Sequence, residues 1–205
     1  MARPLCTRPE TPLVGSVDAE ARFDRFPSDF AIKGMFLSRV VQLAPASVFD
    51  AVRPRLVRAP ALGRYLPFSD YPQVDFSRLA HAVAVDRFRT VDATQAMRLL
   101  ARHDIATFAT SRVGRIMLGL AQDAKGALLK LPEMYAAALR GGSVEASALE
   151  DGRIALRFRD FYGWVDCYPV GTVEGLADHF GVRCEIELEL HSELAATYLV
   201  SLRAT

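Results

Sequence analysis

With 205 residues the chain has the length of one large domain or of two small, closely packed ones. Hydrophobic residues make up 51% and charged residues 24%, which supplies a substantial core and excludes general disorder. The formal net charge of +1 gives no electrostatic reason to expect nucleic acid or an anionic membrane as partner. Apolar runs such as IMLGLA (116–121) fall far short of the roughly 20 residues a spanning helix needs, so no membrane span is expected. The opening MARPLCTRPETPLVG carries prolines and charges where a signal peptide needs a continuous apolar segment. Cys6, Cys167 and Cys184 are odd in number and widely spaced, which points to reduced thiols. These features together predict a cytoplasmic protein.

In chain order, residues 1–28 hold Pro4, Pro9, Pro12 and Pro27 with little periodicity and read as a mobile arm, with a short helix over 18–26. From Asp29 the pattern turns helical, placing Ile32, Met35, Phe36, Val40 and Leu43 at helical spacing. A short helix over 47–57, bent or ended near Pro54, precedes an ordered turn region over 59–73. Residues 75–88 put Phe76, Leu79, Ala80 and Val83 on one helical face. Asp92 with Gln95 resembles a cap, and behind it Met97, Leu100, Ala101, Ile105 and Phe108 form one stripe. Ser111 is placed to cap the following helix, and LPEMYAAALRGG (131–142) predicts another, ended by Gly141-Gly142.

After Gly142 the hydrophobic period changes from 3.6 to 2. SVEASAL, EDG and RIALRFRDF read as a β-hairpin turning at Asp151-Gly152. A helix over 168–181 follows, then an alternating strand over 182–190 and a last strand over 196–202. Arg153, Arg157 and Arg159 share the outer face of one strand, and Arg183, Glu185, Glu187 and Glu189 that of another. The complementary rows predict that the strands 153–159 and 182–190 are direct neighbours.

Four stretches, AIKGMFLSRVV (31–41), VGRIMLGLA (113–121), LPEMYAAALRGG (131–142) and YPVGTVEGLADHFG (168–181), in this order and spacing resemble an uncharacterised paralogous family of similar length, expanded in myxobacteria. The resemblance spans residues 28–203, rests on packing patterns, and implies no activity or ligand. More distantly, helices followed by this sheet-plus-helix unit look like the haem–nitric-oxide sensor fold, the 4-vinyl-reductase-type ligand domains and the vesicle-tethering subunits. Haem sensors of that fold carry a proximal histidine and a Tyr-x-Ser-x-Arg motif. The motif is missing here, since Tyr198, Ser201 and Arg203 have the wrong spacing, so haem is not implied and no cofactor is expected.

The candidate residues each carry a plain reading beside the functional one. Gly171 and Gly175, four apart on one helical face, suit a close approach of backbones better than a phosphate cradle, because nothing completes a P-loop. Gly181 suits a left-handed C-cap. Cys167, His179, Cys184 and His191 have spacings that match no common zinc pattern. His81 and His103 lie on helices, with His103 off the apolar stripe. Asp104 falls on that stripe, where an unpaired carboxylate is costly. It either pairs locally with Arg112 or Arg115 or faces a ligand cavity. Phe158, Phe161, Tyr162, Trp164 and Tyr168 are core and hinge packing, or the wall of an apolar pocket at the seam between helices and sheet. No serine lies in a nucleophile elbow and no Cys–His pair has a catalytic setting.

The sequence therefore predicts an α+β fold: a helical subdomain (29–142) packed as one unit on a sheet subdomain (143–205) of order strand-strand-helix-strand-strand. The function it favours is a non-catalytic sensory or regulatory domain that holds an apolar small molecule or docks a protein partner. The alternatives are a structural module that associates with itself as a homodimer, and an enzyme of unrecognised geometry. Asp104, Phe158, Phe161, Trp164, Tyr168, Gly171 and Gly175 are the candidate pocket or interaction residues.

Overall fold

The computed structural model describes residues 5–7, 19–60 and 64–204. Among them the N-terminal half runs β1 (Leu5–Thr7), α1 (Ala19–Phe23), β2 (Ala31–Lys33), α2 (Gly34–Leu43), α3 (Ala46–Val52), a short 3-10 turn, β3 (Asp70–Pro72) and α4 (Gln73–Arg87). There follow α5 (Ala93–Thr110), α6 (Arg112–Gly119), α7 (Ala124–Leu129), α8 (Leu131–Ala138) and β4 (Leu139–Arg140). The C-terminal part is β5 (Ser143–Ala148), β6 (Ile154–Arg159), α9 (Tyr168–His179), β7 (Val182–Ser192) and β8 (Ala195–Ala204).

Side-chain caps set the helix starts. Asp92 accepts from the Gln95 N–H at 2.8 Å, and Ser111 from the Gly114 N–H at 3.0 Å. Asp123 does the same for Gly126 at 2.7 Å, starting a helix, α7, that the sequence pattern did not reveal because six residues are too few to show a period. Two expected helices are shorter than the pattern suggested. Ala31–Lys33 is a strand pairing with β3 and β4, so Ile32 belongs to a small three-stranded sheet and not to α2. Leu139 and Arg140 leave α8 for the same sheet, where they face Ile32 and Ala31. Backbone pairing between segments far apart in sequence thus overrides local helical spacing.

Of the expected N-terminal arm, residues 1–4 and 8–18 lie outside the described residues. Leu5–Thr7 pairs antiparallel with β7, and Ala19 and Phe23 of α1 are buried in the helical core. Those two pieces are tied to the rest of the fold.

The architecture is α+β, and the C-terminal unit has the strand-strand-helix-strand-strand order read from the sequence. Its sheet is antiparallel in the order β1-β7-β8-β6-β5. This overturns the expected direct pairing of β6 with β7, because β8 lies between them. Both are antiparallel to β8, so they run parallel to each other, and α9 carries the chain across the sheet between them. Such a crossover leaves a gap that the returning strand fills, a split arrangement. The outer-face charges still meet: Arg153 reaches over β8 to Glu187 at 3.3 Å, while Arg159 pairs with Glu145 and Arg203 with Glu185.

One face of the sheet buries Ile154, Leu156, Phe158, Ile186, Leu188 and Val200 against Val170, Val173 and Leu176 of α9. A second core collects Leu37, Val40, Leu79, Val83, Met97 and Leu100 among the helices. Each core draws from both sides of Gly142: Trp164 and Cys167 enter the helical core, and Phe108, Leu128 and Leu131 the sheet core. No helix among the described residues is long and apolar enough to cross a membrane.

Candidate functional site

Helix α5 is central to the molecule, and one of its faces is closed by α9. A Cβ placed on Gly171 would stand 2.0 Å from the Arg98 carbonyl oxygen, and one on Gly175 would stand 2.8 Å from Ile105 Cβ and 2.9 Å from the Arg102 carbonyl. The glycines therefore allow the two backbones to touch. Fully buried Arg98 clasps Glu174, with Nε donating to Oε2 at 2.9 Å and Nη2 to Oε1, while Nη1 reaches Gln95 Oε1 at 3.4 Å. One turn on, Arg102 Nη2 donates to Asp178 Oδ1 at 3.0 Å. The contacts advance together along both helices, so α5 and α9 run parallel. Burial still raises the Glu174 carboxyl above its usual range, against the lowering by Arg98.

Beside this contact, where α2, α4, α5, α8 and the segment leading into α9 converge, lies an apolar cavity of about 100 Å³. Phe36, Phe76, Phe108, Met134 and Phe161 supply much of its wall. The polar groups on its wall are few: Arg39, Gln73, Asp104, Tyr135, Tyr168 and Thr172. Arg39 of α2 lies over the Phe108 ring, 5.2 Å from its centroid, with Phe36 stacked on Phe108 at 6.4 Å. Its Nη2 approaches Asp104 Oδ1 to 2.7 Å and also donates to the Asp104 backbone carbonyl. The Tyr168 hydroxyl donates to Asp104 Oδ2 at 3.4 Å, and Phe76 packs edge-on against the Tyr168 ring at 5.7 Å.

Hydrogen bonding here is incomplete. Arg39 Nη1 and Gln73 Oε1 are buried without a hydrogen-bond partner, while Asp104 Oδ1 has Arg39 Nη2 at 2.7 Å. Buried polar groups are as a rule paired, which makes these two exceptions notable. Burial dominates the proton affinities. It raises the Asp104 carboxyl despite Arg39 and Tyr168, pushes Tyr135 up to about 12, and lifts Tyr168 well above the usual phenol range, helped by the Asp104 charge.

The structure brings together three of the candidate residues on this wall: Asp104, Phe161 and Tyr168. Phe158 lies deeper, in the sheet core, and Trp164 is buried in the helical core against Phe23 and His81. Gly171 and Gly175 belong to the α5–α9 contact. For Asp104 the two readings coexist: it faces a cavity and is ion-paired. The expected partners are corrected, however. Ser111 turns the chain away after α5, leaving Arg112 and Arg115 exposed, and the pairing cation is Arg39 from α2. Arg39 and Gln73 went unnoticed in the sequence. Arg39 could have been found, since it follows Met35 and Phe36 by four and three residues and shares their apolar face. Gln73 follows Pro72 at a helix start and gives no such sign. His81 and His103 do not line the cavity. Among the described residues no group of three or more His, Cys, Asp or Glu could hold a metal ion. Gly181 has φ +67°, the left-handed conformation expected at the end of α9.

The fold is that of H-NOX proteins. An H-NOX protein from S. oneidensis in the Fe(II)NO ligation state superposes with a TM-score of 0.65 at 15% identity, covering 84% of this chain and 99% of that one. A mutant of T. tengcongensis H-NOX gives 0.65 at 15% identity over 84% and 98%. The Fe(II) unliganded H-NOX protein from K. algicida gives 0.64 at 14% over 85% and 98%. No curated protein matches the chain. A family model does match, over residues 27–201, nearly the whole helical and sheet framework that builds the cavity. The chain belongs to that family, described as a protein of unknown function (DUF2378).

Proposed function

We propose that the chain is a non-catalytic sensory or regulatory domain that binds an apolar small molecule in the cavity beside α5 and relays occupancy by associating with a protein partner or a second copy. The observation that carries this reading is the apolar cavity at the meeting of helices and sheet, with a few polar side chains among its wall residues.

The H-NOX likeness raises haem, and the residues present do not fit it. Neither His81 nor His103 lines the cavity, and Asp104 there is engaged by Arg39. A volume of about 100 Å³ lies below the roughly 300 Å³ at which pockets for drug-sized ligands begin. Chemistry is less well supported than binding. The wall holds no serine, cysteine, lysine or histidine, and its one carboxylate is held by an arginine.

The test is entry of a compact apolar probe. With methyl-labelled methionine, benzene is expected to shift the Met117 and Met134 signals, both on the wall, and Ala138→Phe, which fills the space, is expected to abolish the shift. Unmoved methyl signals would defeat the reading. A purely structural, self-associating module is favoured by a separate observation, the exposed Ile116 and Leu120 of α6 and its C-terminal cap. Sedimentation of the wild type against Ile116→Ser/Leu120→Ser decides it: a dimer that dissociates in the variant supports the module.

A further inference from the structure

We infer that the two turns over 56–59 and 66–69 form a docking surface for an anionic lipid membrane, toward which arginines draw the chain and into which Val57, Leu66 and Phe68 insert.

The whole chain is nearly neutral at +1, but its charge is unevenly placed. Between Asp50 and Asp70 the sequence carries Arg53, Arg55, Arg58 and Arg64 and no acidic residue, and all four arginines are exposed. The acidic groups that touch this strip are already engaged. Asp70, whose backbone carbonyl accepts from Arg58 Nη1 at 3.1 Å, is paired with Lys33 at 2.7 Å and with Arg140 at 3.5 Å. Asp75 is buried beneath the first turn, where its carboxylate accepts the Val57 and Arg58 N–H groups at 2.7 and 2.8 Å.

Among the described residues Phe68 is the most exposed large apolar side chain, at 77%, with Val57 at 68% and Leu66 at 65%. Exposed apolar side chains gathered in one place mark an interaction surface. One ring gathers them. The Arg58 guanidinium lies 4.9 Å from the centre of the Tyr71 ring, and the Tyr71 hydroxyl accepts the Leu66 N–H at 3.0 Å. The Ser69 N–H returns to the Leu66 carbonyl at 3.2 Å, closing a turn with Pro67 and Phe68 at its tip. Helix α2 holds that turn from behind. Met35 donates to the Pro67 carbonyl at 3.0 Å, Gly34 to the Ser69 carbonyl at 2.9 Å, and Ser38 Oγ to the Tyr65 carbonyl at 3.2 Å.

These features suit a lipid surface better than an acidic protein. Side chains on turn tips, each with more than half of its surface in water, penetrate a partner and do not enclose one. A bilayer receives them without a matching pocket, which a folded partner would have to supply. Stable anchoring also takes two signals, since a basic patch or a small apolar insertion alone is marginal. The strip carries both, with Val57 beside Arg58 and Leu66 two residues from Arg64. This docking goes beyond the cavity reading and does not depend on it.

Co-sedimentation of the full chain with vesicles tests it, using phosphatidylcholine alone or mixed with phosphatidylserine. Pelleting is expected with the mixed vesicles only. It should be largely lost as salt rises from about 0.1 M to about 1 M, which shortens the screening length from about 10 Å to about 3 Å. Arg58→Gln/Arg64→Gln is expected to weaken binding about 25-fold, about fivefold for each arginine. Phe68→Ser, at an exposed position, is expected to weaken it at least about tenfold. Phe68→Trp is expected to keep binding and to shift its emission to shorter wavelength on the mixed vesicles, against a constant signal from buried Trp164, the only native tryptophan. No pelleting with the mixed vesicles overturns the inference. Pelleting that Phe68→Ser leaves unchanged also overturns it, because charge alone then holds the chain. Binding of polyglutamate without binding of either vesicle assigns the strip to an acidic protein and overturns the lipid surface.

Discussion

The two faces of α5 make an instructive pair. Each carries an arginine–carboxylate contact with another element of the fold, yet the two differ in what remains unmet. Toward α9, all three guanidinium nitrogens of Arg98 have partners, and Gly171 and Gly175 remove the side chains that would hold the helices apart. Toward α2, Arg39 keeps one nitrogen without a partner, and the space beside the pair stays open. The same chemistry serves a closed clasp in one place and an open wall in the other. What separates them is the size of the facing residue: glycine lets α9 descend onto α5, whereas Phe36, Phe76 and Met134 stand their helices off.

The clasp should be the more fragile to substitution. Arg98→Met leaves Glu174, 1% exposed, without its cation, and breaking a buried pair from one side costs about 3–5 kcal/mol. Arg98→Met/Glu174→Leu is expected to recover most of that loss, since apolar replacement of both partners is often neutral or stabilising. Urea midpoints of the two variants check this; a double variant as weak as the single one would show that the pair does more than balance charge. Next in size is Gly171→Ala. Overpacking costs about 1–3 kcal/mol, and here the obstacle is a backbone carbonyl 2.0 Å away that cannot rotate aside. The gain of about 1 kcal/mol in helix propensity does not offset it. Gly175→Ala, with contacts at 2.8 and 2.9 Å, is expected to be clearly milder. Equal losses at the two positions would mean that α9 tilts freely, contrary to the ion pairs at Glu174 and Asp178.

What could be read from the sequence divides along similar lines. Local signals were legible: the caps at Asp92 and Ser111, the change of period at Gly142, and the spacing of Gly171 and Gly175. Long-range pairing was not. Nothing local marks Ala31–Lys33 as a strand, because its partners lie at 70–72 and 139–140. Charge rows on β6 and β7 showed that the two strands share a face, but not that β8 separates them, since a long arginine can reach across a strand. Asp104 was conspicuous as a charge on an apolar stripe, and Arg39 bears the same mark on α2. Reading the two anomalies as one pair would have located the site; Gln73 needed coordinates.

The last substitution is the most diagnostic of the open face. Arg39→Met removes the cation beside Asp104, but a carboxyl can take up a proton where an arginine cannot lose one. The loss at neutral pH is therefore expected to be about 1–3 kcal/mol, below that at Arg98. Its pH dependence has a definite sign. Burial already raises the folded-state Asp104 above the ordinary carboxylate value, so the folded chain holds an extra proton in the window just above about pH 4, and this group's contribution to stability falls as pH rises through it. Arg39 opposes the rise, and without it the window extends further upward. The gap between wild type and Arg39→Met should accordingly be narrow near pH 4 and widen toward pH 7, while Asp104→Asn/Arg39→Met, having no carboxyl to titrate, should show no widening. A gap constant with pH would mean that Asp104 is hydrated in the folded chain, and the face that lines the cavity would then be wet.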